Sequence, residues 1–260
     1  MIPAPPHWRV PQSVILEKNQ VHVWRIQLDL SETKMSKVAK FLSVQEREKA
    51  GRFYFSRDRK RYIATHGALR KVLSLYVKEQ PALLKFHTNT YGKPHLAQVA
   101  EEMVVPQFNV SHSHDMALFA IVRDGMVGID VEKIKPDFAT MEIAERFFSR
   151  SEINELRSLQ GREQINGFFN CWTRKEAYIK AKGLGLSLPL NQFDVELAPG
   201  KMPRLVASEF CPQDVERLSM FSVDVLNDFV GALVVEGNEI SIKYYDFGER
   251  SEIEFVGDPK

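Results

Sequence analysis

Cysteine, net charge and long apolar runs are all scarce in this chain of 260 residues. Cys171 and Cys211 are its only cysteines and no Cys-x-x-Cys spacing occurs, which argues against a disulfide framework or a zinc site. The formal net charge is only +1 at pH 7, so no global field predicts binding to nucleic acid or to an anionic membrane. The longest apolar runs, residues 116–122 and 229–235, are far shorter than a membrane span.

A secretory signal is missing as well, because the first twenty residues carry prolines and charges but no apolar core. Together with the few cysteines, this predicts a reduced, cytoplasmic protein. A hydrophobic content of 44% and a charged content of 27% are ordinary for a soluble globular protein. The length allows either one large domain or two modest lobes.

Helices and strands are predicted in both halves of the chain, which indicates an α+β fold. The proline-rich residues 2–11 predict an extended arm. Two apolar runs around Asp124-Gly125 predict a hairpin of residues 117–122 and 126–131. Helices are predicted at residues 34–50, 57–77, 140–147, 151–159 and 163–182, and further strands at residues 21–30, 193–197, 221–226, 229–235 and 240–247.

A short internal similarity hints at duplication. Residues 52–57 (Arg-Phe-Tyr-Phe-Ser-Arg) resemble residues 146–150 (Arg-Phe-Phe-Ser-Arg), and a charged helical segment follows each of them. Two related lobes would explain the similarity, although so short a match also arises by chance.

Two carboxylates lie two residues apart in the strand-like residues 128–132. Successive strand side chains face opposite ways, so Asp130 and Glu132 share one face while Ile129 and Val131 share the other. Gly128 favours close approach by a ligand or another chain. Such a pair also fits a solvent-facing strand edge that discourages aggregation, so a third carboxylate is needed to indicate a site.

That third carboxylate is Glu176, which lies in a helical stretch beside Lys175 and Lys180. A solvated Glu176–Lys180 pair would be worth only about 0.3–0.5 kcal/mol to the helix. The charged residues, however, share the helical arc of Phe168 and Trp172, and this placement favours the rim of a cleft. Three carboxylates with neighbouring lysines suit a hard divalent cation and a substrate that bears phosphate.

Residues 108–115 allow several interpretations. A serine nucleophile is disfavoured because the Gly-x-Ser-x-Gly elbow is missing. A His-x-His metal site through His112 and His114 is conceivable, although the hydrolase pattern His-x-His-x-Asp-His would need aspartate where Met116 stands. Ser111 and His112 could instead donate hydrogen bonds to a phosphate, with His112 partly cationic near neutral pH. A polar strand entry explains the same residues equally well.

Basic and aromatic residues alternate in residues 47–61. A nucleic-acid binder can have this pattern, but so can a solvated helix face, and binding of one phosphorylated nucleotide lies between the two. Residues 91–94 (Tyr-Gly-Lys-Pro) form a predicted turn that presents Lys93.

These motifs occur in an order that resembles the 4′-phosphopantetheinyl transferases, of the large type that activates peptide and polyketide synthetases. The resemblance extends from residue 45 to about residue 195. It is carried by residues 47–53, 91–94, 108–113, 128–132, 146–149, 172–180 and 185–190.

The resemblance implies two similar α+β lobes related by a pseudo-twofold axis, with the active site between them. We expect an N-terminal arm at residues 1–20, an N-terminal lobe at 21–123, and a C-terminal lobe at 124–260 that carries the metal-binding carboxylates. A monomeric enzyme is expected, and no nucleic acid or membrane as partner. Its partners would be coenzyme A as donor and apo acyl or peptidyl carrier proteins as acceptors.

The resemblance also implies roles for single residues. Mg²⁺ would be held by Asp130, Glu132 and Glu176, with Glu176 and Lys180 as catalytic groups and Glu152 as a further acidic position. Some relatives carry a second basic residue where Glu46 stands, so the contact to the 3′-phosphate would rely on Arg47 or Arg52. The expected contacts to coenzyme A are Lys49, Arg52, Lys93, Ser111, His112 and Lys175.

Overall fold

The computed structural model describes residues 7–11, 13–98, 104–226 and 228–248, and the rest of the predicted N-terminal arm lies outside these ranges. Helices and mostly antiparallel strands occur in both halves of the described chain, so the predicted α+β class is confirmed. The helices are α1 (Glu32–Ala39), α2 (Val44–Gly51), α3 (Ser56–Val77), α4 (Met141–Phe147), α5 (Arg150–Ser158), α6 (Gly161–Lys182) and α7 (Asp214–Arg217). The strands are β1 (Gln20–Gln27), β2 (Phe86–Thr88), β3 (Pro94–Leu96), β4 (Gln107–Ser113), β5 (Met116–Val122), β6 (Val127–Lys133), β7 (Phe193–Val195), β8 (Leu205–Ser208), β9 (Leu218–Val223), β10 (Phe229–Glu236) and β11 (Ser241–Asp246).

Two sheets of similar order divide the fold into two lobes. The N-terminal sheet has the order β11-β1-β5-β4 and the C-terminal sheet the order β6-β10-β9. In each lobe a first strand is followed by helices, the last of them 22 residues long, and then by an antiparallel strand pair that returns to the first strand. The repeated order agrees with the expectation of two similar lobes.

Three clusters of buried apolar side chains hold these layers together. One packs the N-terminal sheet against α1 and α3 and includes Trp24 and Val72. A second packs the C-terminal sheet against α5 and α6 and includes Phe168 and Val234. The third draws side chains such as Ile129 from strands of both sheets. The helices therefore lie outside, and an apolar core joins the two lobes.

The predicted hairpin across Asp124-Gly125 is wrong. Strands β5 and β6 both form, but β5 pairs with β1 and β4 whereas β6 pairs with β10. Because both edges of β5 are already occupied, the chain crosses to the other sheet after Val122. The Asp-Gly signal marks a turn correctly and says nothing about which partner each strand takes.

The predicted lobe boundary does not hold for the last described strand. Strand β11 pairs in parallel with β1, so residues 241–246 complete the N-terminal sheet although they follow the C-terminal lobe in sequence. The Arg25 guanidinium lies 2.8 Å from the Asp246 carboxylate across this pairing. The chain end thereby ties the two lobes together.

The internal similarity compared segments that do not correspond in the fold. Residues 52–57 connect α2 to α3, whereas residues 146–150 connect α4 to α5. The structural counterparts are Ser43 and Ser149, each the N-cap of a capping box with Glu46 or Glu152 three residues on. The Ser43 cap also splits the single helix predicted at residues 34–50 into α1 and α2. In the described part of the chain, no helix is long and apolar enough to cross a lipid bilayer.

Candidate active site between the lobes

Strands β4 and β6 are neighbours at the junction of the two sheets, and side chains connect them. Asn109 Oδ1 accepts a hydrogen bond from Ile129 N at 2.9 Å. Ser113 Oγ accepts one from Lys133 N at 3.1 Å. Ser111 Oγ accepts a longer one, at 3.4 Å, from Val131 N. Side chains from alternate residues of β4 thus satisfy the backbone of β6, as the two-residue strand period allows.

Asp130 is the most buried acidic group at this junction, with 2% of its surface exposed. Its Oδ1 accepts hydrogen bonds from Ser111 Oγ at 2.8 Å and from Lys180 Nζ at 2.6 Å. Lys180 Nζ also lies 3.0 Å from Ser111 Oγ. Asp130 Oδ2, by contrast, is buried without a hydrogen-bond partner among the described residues. An unpaired buried carboxylate oxygen is costly, so this atom marks a place for a ligand.

A close approach of α6 to β6 brings Lys180 to Asp130. A Cβ on Gly128 would lie 2.0 Å from Ala177 O and 2.3 Å from Ala181 N. Only glycine allows the helix backbone to lie this near the strand. The space beside Gly128 is therefore filled by the protein's own helix α6, not by a ligand.

The other two predicted carboxylates share the electrostatic environment of Asp130. Burial, together with the charges of Asp130 and Glu132, raises the pKa of Glu176 to about 7. Burial and the charge of Asp130 likewise raise the pKa of Glu132, although the Ser113 hydroxyl opposes the rise. Ser113 Oγ donates to Glu132 Oε2 at 2.7 Å. Carboxylates that raise one another's pKa lie in a common acidic cluster.

This cluster fits a hard divalent cation by its chemistry, but its groups are not yet arranged around one. No three His, Cys, Asp or Glu side chains in the described ranges are close enough to hold a metal ion as they stand. The cluster nevertheless offers oxygen donors, an unpaired Asp130 Oδ2 and mutual repulsion that a cation would relieve. Lys180 supplies the positive charge that offsets Asp130 in this conformation.

Two of the predicted basic contacts belong to the N-terminal lobe. Lys49 and Arg52 are exposed at the end of α2, and Lys49 Nζ lies 5.3 Å from the centre of the Tyr62 ring. That ring packs against the His66 imidazole at 4.1 Å. These residues form an open, cationic and aromatic surface.

His112 differs from its sequence-based prediction. Partial desolvation and the positive charges of Lys180, His66 and Arg61 lower its pKa. A lowered pKa disfavours the partly cationic imidazole that the sequence suggested.

Lys93 joins the two lobes. Its Nζ donates to Val127 O at 2.9 Å and to Ala181 O at 3.2 Å, and burial lowers its pKa to about 8. In the same turn, Asn89 Nδ2 donates to Gly183 O at 2.8 Å. This turn caps the C-terminal end of α6, where a cation is favourable.

Lys175 is not brought to the cleft, which corrects its prediction as a contact to coenzyme A. The side chain is fully buried. Its Nζ lies 2.8 Å from Glu152 Oε2 and donates to the carbonyl oxygens of Leu190 and Phe193. Glu152 also accepts a hydrogen bond from Val195 N. The expectation of Glu152 near a metal is not supported either, because this pair belongs to the core of the C-terminal lobe.

Sequence reasoning missed Asn109 and Ser113 as residues of the site. The available signal was polar residues at positions 109, 111 and 113, which a strand places on one face. That signal gains meaning only when β6 is known to lie opposite.

Comparison with known proteins gives the family. A relative from a Nostoc species, the 4′-phosphopantetheinyl transferase HetI, is 38% identical over 196 residues, which cover 75% of this chain and 81% of the relative. This chain belongs to the 4′-phosphopantetheinyl transferase family. The family profile described as "4'-phosphopantetheinyl transferase superfamily" matches residues 126–234, and the profile "4'-phosphopantetheinyl transferase, N-terminal" matches residues 27–123.

Two further proteins are similar to parts of this chain. The 4′-phosphopantetheinyl transferase Sfp of Bacillus subtilis is 36% identical over 168 residues, or 65% of this chain and 72% of the relative. A holo-(acyl-carrier-protein) synthase from Bacillus anthracis, solved in complex with CoA (3′,5′-ADP), is 23% identical. Its TM-score is 0.36, and the alignment covers 43% of this chain and 94% of that one.

Proposed function

We propose that the cleft between the lobes transfers the 4′-phosphopantetheine arm of coenzyme A to a serine hydroxyl of an apo acyl or peptidyl carrier protein. The products are the holo carrier and 3′,5′-ADP. The observation that carries this proposal is the buried Asp130, held between Ser111 and Lys180 with one oxygen unpaired. The raised pKa of Glu176 beside it supports the same site.

Asp130, Glu132 and Glu176 are the residues that would hold Mg²⁺. When bound, the cation would offset the negative charge of the pyrophosphate and stabilise the departing 3′,5′-ADP. Its fit rests on the oxygen donors of the cluster and on the unpaired Asp130 Oδ2. Binding would require modest movement of these side chains, since Lys180 now occupies the other oxygen of Asp130.

Glu176 is the residue proposed to take the proton of the acceptor serine. A general base works best when its pKa is near the working pH, and burial with neighbouring carboxylates raises the pKa of Glu176 to about 7. Lys180, on the same helix face, would stabilise the bridging oxygen, which becomes negative as the phosphoanhydride bond of the pyrophosphate breaks and 3′,5′-ADP leaves.

The phosphates of coenzyme A are proposed to lie against the N-terminal lobe. Lys49 and Arg52 offer exposed charges, and His112 offers an imidazole that can donate a hydrogen bond. Lys93 can contribute only its remaining N–H, because two carbonyls already accept from it. Ser111 is engaged with Asp130, so it orients that carboxylate and is a weaker candidate for phosphate contact. Lys175 is left out of the site.

Coenzyme A would therefore bridge a basic surface on one lobe and an acidic cluster on the other. The enzyme is proposed to act as a monomer in the cytoplasm, where coenzyme A and carrier proteins meet.

Intact-protein mass spectrometry tests the function. An apo carrier protein is mixed with the enzyme, coenzyme A and Mg²⁺, and the carrier is weighed. Gain of one phosphopantetheinyl group supports the transferase. Release of inorganic phosphate without carrier modification would indicate a phosphoester hydrolase, and complex formation without a mass change would indicate a binding module.

A further inference from the structure

Between the two lobes, β4 bonds to β6 through side chains where paired strands use their backbones. The side-chain oxygens of Asn109, Ser111 and Ser113 on β4 accept hydrogen bonds from backbone N–H groups of β6. Strand β6 pairs with β10 along one edge. Along its other edge, the N–H groups of alternate residues meet these side chains. We call these three β4 side chains the polar row. The separation of the two sheets here is set by side-chain length.

The serines of the polar row each have a second role that the asparagine lacks. Ser113 Oγ accepts from Lys133 N at 3.1 Å and donates to Glu132 Oε2 at 2.7 Å. A hydroxyl has a single hydrogen. Because the backbone N–H occupies one accepting direction, the hydrogen is directed at the carboxylate. The hydrogen bond that Ser113 Oγ accepts from Lys133 N thus orients the one that it donates to Glu132.

Ser111 repeats this arrangement one step along the strand, with Val131 N as donor and Asp130 Oδ1 as acceptor. Asn109 Oδ1 accepts from Ile129 N at 2.9 Å, and no carboxylate of the described residues accepts a hydrogen bond from the Asn109 side chain. Asn109 therefore serves as an internal control, because it joins the lobes without contacting the acidic cluster.

We propose that Ser113 is a positioning residue for the acidic cluster: it fixes Glu132 against the lobe junction so that its second oxygen faces a divalent cation. Ser111 does the same for Asp130. The inference rests on the proposed function, because it assumes that these carboxylates bind a cation. It adds that the N-terminal lobe, which supplies none of the proposed metal ligands, sets the affinity of the metal site.

Titration of the free enzyme with Mn²⁺, followed by electron paramagnetic resonance, tests this without any turnover. Ser113→Ala should weaken Mn²⁺ binding by about tenfold to a hundredfold, the usual effect of removing a group that orients a metal ligand. Ser113→Thr keeps the hydroxyl and should restore most of the affinity. Asn109→Ala should lower the melting temperature and leave the Mn²⁺ affinity within about twofold of wild type.

Steady-state kinetics supply a second readout. In Ser113→Ala the Mg²⁺ concentration for half-maximal activity should rise, while the KM for coenzyme A stays unchanged. If Ser113→Ala fails to fold, Ser113→Cys gives the comparison with Asn109→Ala, because the thiol fills the same space but is only a weak hydrogen-bond donor to Glu132. The positioning role predicts weaker Mn²⁺ binding in Ser113→Cys than in Asn109→Ala, whereas a purely structural row predicts wild-type Mn²⁺ affinity in both.

The outcomes separate this inference from the proposed function. Wild-type Mn²⁺ affinity in Ser113→Ala, or equal weakening in Asn109→Ala, would overturn the positioning role while carrier modification by wild type still stands. A wild-type enzyme that modifies the carrier but binds no Mn²⁺ would also overturn it. Failure of wild type to modify any carrier would overturn the transferase itself.

Discussion

The two lobes share a buried ion-pair clamp and differ in what their first strand presents to the long helix. Arg70 and Lys175 occupy the same position, the fifteenth residue, of the 22-residue helices α3 and α6. Arg70 pairs with Glu46 at 2.5 Å, and Lys175 pairs with Glu152 at 2.8 Å. Each glutamate belongs to a capping box.

Each basic group also donates to two carbonyl oxygens in the segment that follows its helix. Arg70 Nη1 reaches Pro81 O and Leu84 O, and Lys175 Nζ reaches Leu190 O and Phe193 O. The clamp therefore fixes three elements in each lobe: the short capped helix, the long helix and the chain beyond it. This shared frame explains why Lys175 is structural despite lying next to Glu176.

What differs is the face of the first strand that meets the long helix. In the N-terminal lobe, Trp24 of β1 faces α3 and its Nε1 donates to Tyr76 Oη at 2.8 Å. In the C-terminal lobe, Asp130 of β6 faces α6 and meets Lys180 at 2.6 Å. Between the first strand and the long helix, the N-terminal lobe has an apolar core, whereas the C-terminal lobe has a buried ion pair. In the C-terminal lobe, the acidic site therefore takes the place of the apolar packing that the same fold provides in the N-terminal lobe.

The largest effect is expected at Glu176. Glu176→Gln should lower turnover by more than about a hundredfold, because the proposed base is lost, and should melt no lower than wild type, since a repelled carboxylate is removed. Carrier modification rate and thermal melting check both parts. The N-terminal counterpart on α3 is Lys71, which is buried with Nζ 5.5 Å from the Phe41 ring centre. Lys71→Met should change melting without a comparable loss of turnover, and the reverse pattern would contradict the comparison.

The clamps are expected to differ in strength because they differ in burial. Glu152→Gln leaves the fully buried Lys175 without its anionic partner and should cost about 3 kcal/mol of unfolding free energy. Glu46 is less buried, with 16% of its side chain exposed, so Glu46→Gln should lower the free energy of unfolding by only about 1 kcal/mol. Urea denaturation measures both values. Equal losses would show that the two clamps are not distinguished by burial.

Acid should weaken the N-terminal lobe through His22. Burial and the charges of Lys243 and Arg9 lower the pKa of His22 to about 3, whereas an unfolded histidine titrates near 6.5. A histidine with a lowered folded pKa gives its full stability above pH 6.5 and loses it as pH falls toward 3. Between pH 7 and pH 5 the loss should be about 2 kcal/mol.

Unfolding free energies measured across that range, for wild type and His22→Gln, check this contribution. The variant should show a correspondingly flatter dependence between pH 7 and pH 5. The ring is fully buried, with Tyr76 Oη 2.8 Å from His22 Nδ1 and Gln20 Oε1 3.0 Å from Nε2. Parallel pH curves for the two proteins would contradict it.

The smallest effect is expected at the open basic surface. Lys49→Ala should raise the KM for coenzyme A by about fivefold, the scale of one solvent-exposed ionic contact of about 1 kcal/mol, without changing the KM for the carrier. Lys85, an exposed lysine outside the proposed site, serves as the matched control. A similar rise in Lys85→Ala would mean that general positive charge, and not this surface, attracts the substrate.

Local patterns predicted the parts of this structure that depend on neighbouring residues. The long helices α3 and α6 and the shared face of Asp130 and Glu132 follow from strand and helix periods. Lys175 was misplaced because adjacent helix positions diverge by about 100°, so one residue can face the cleft while its neighbour enters the core.

Long-range pairing could not be predicted in the same way. Whether β6 joins β5 or β10 depends on which sheet edges are free, and the return of β11 to β1 depends on a strand more than two hundred residues away. The role of Ser113 has the same origin. Its period on β4 is visible in the sequence, but the carboxylate that it orients lies on a strand of the other lobe.

The most direct test of the account is the intact mass of an apo carrier protein after incubation with coenzyme A, Mg²⁺ and the Asp130→Asn variant. The substitution keeps the shape and hydrogen bonding of the side chain while removing the charge at the centre of the cluster. With wild type giving complete modification and the variant shown to be folded by its circular dichroism, the account predicts an unmodified carrier. A carrier that gains the phosphopantetheinyl group at the wild-type rate would contradict it.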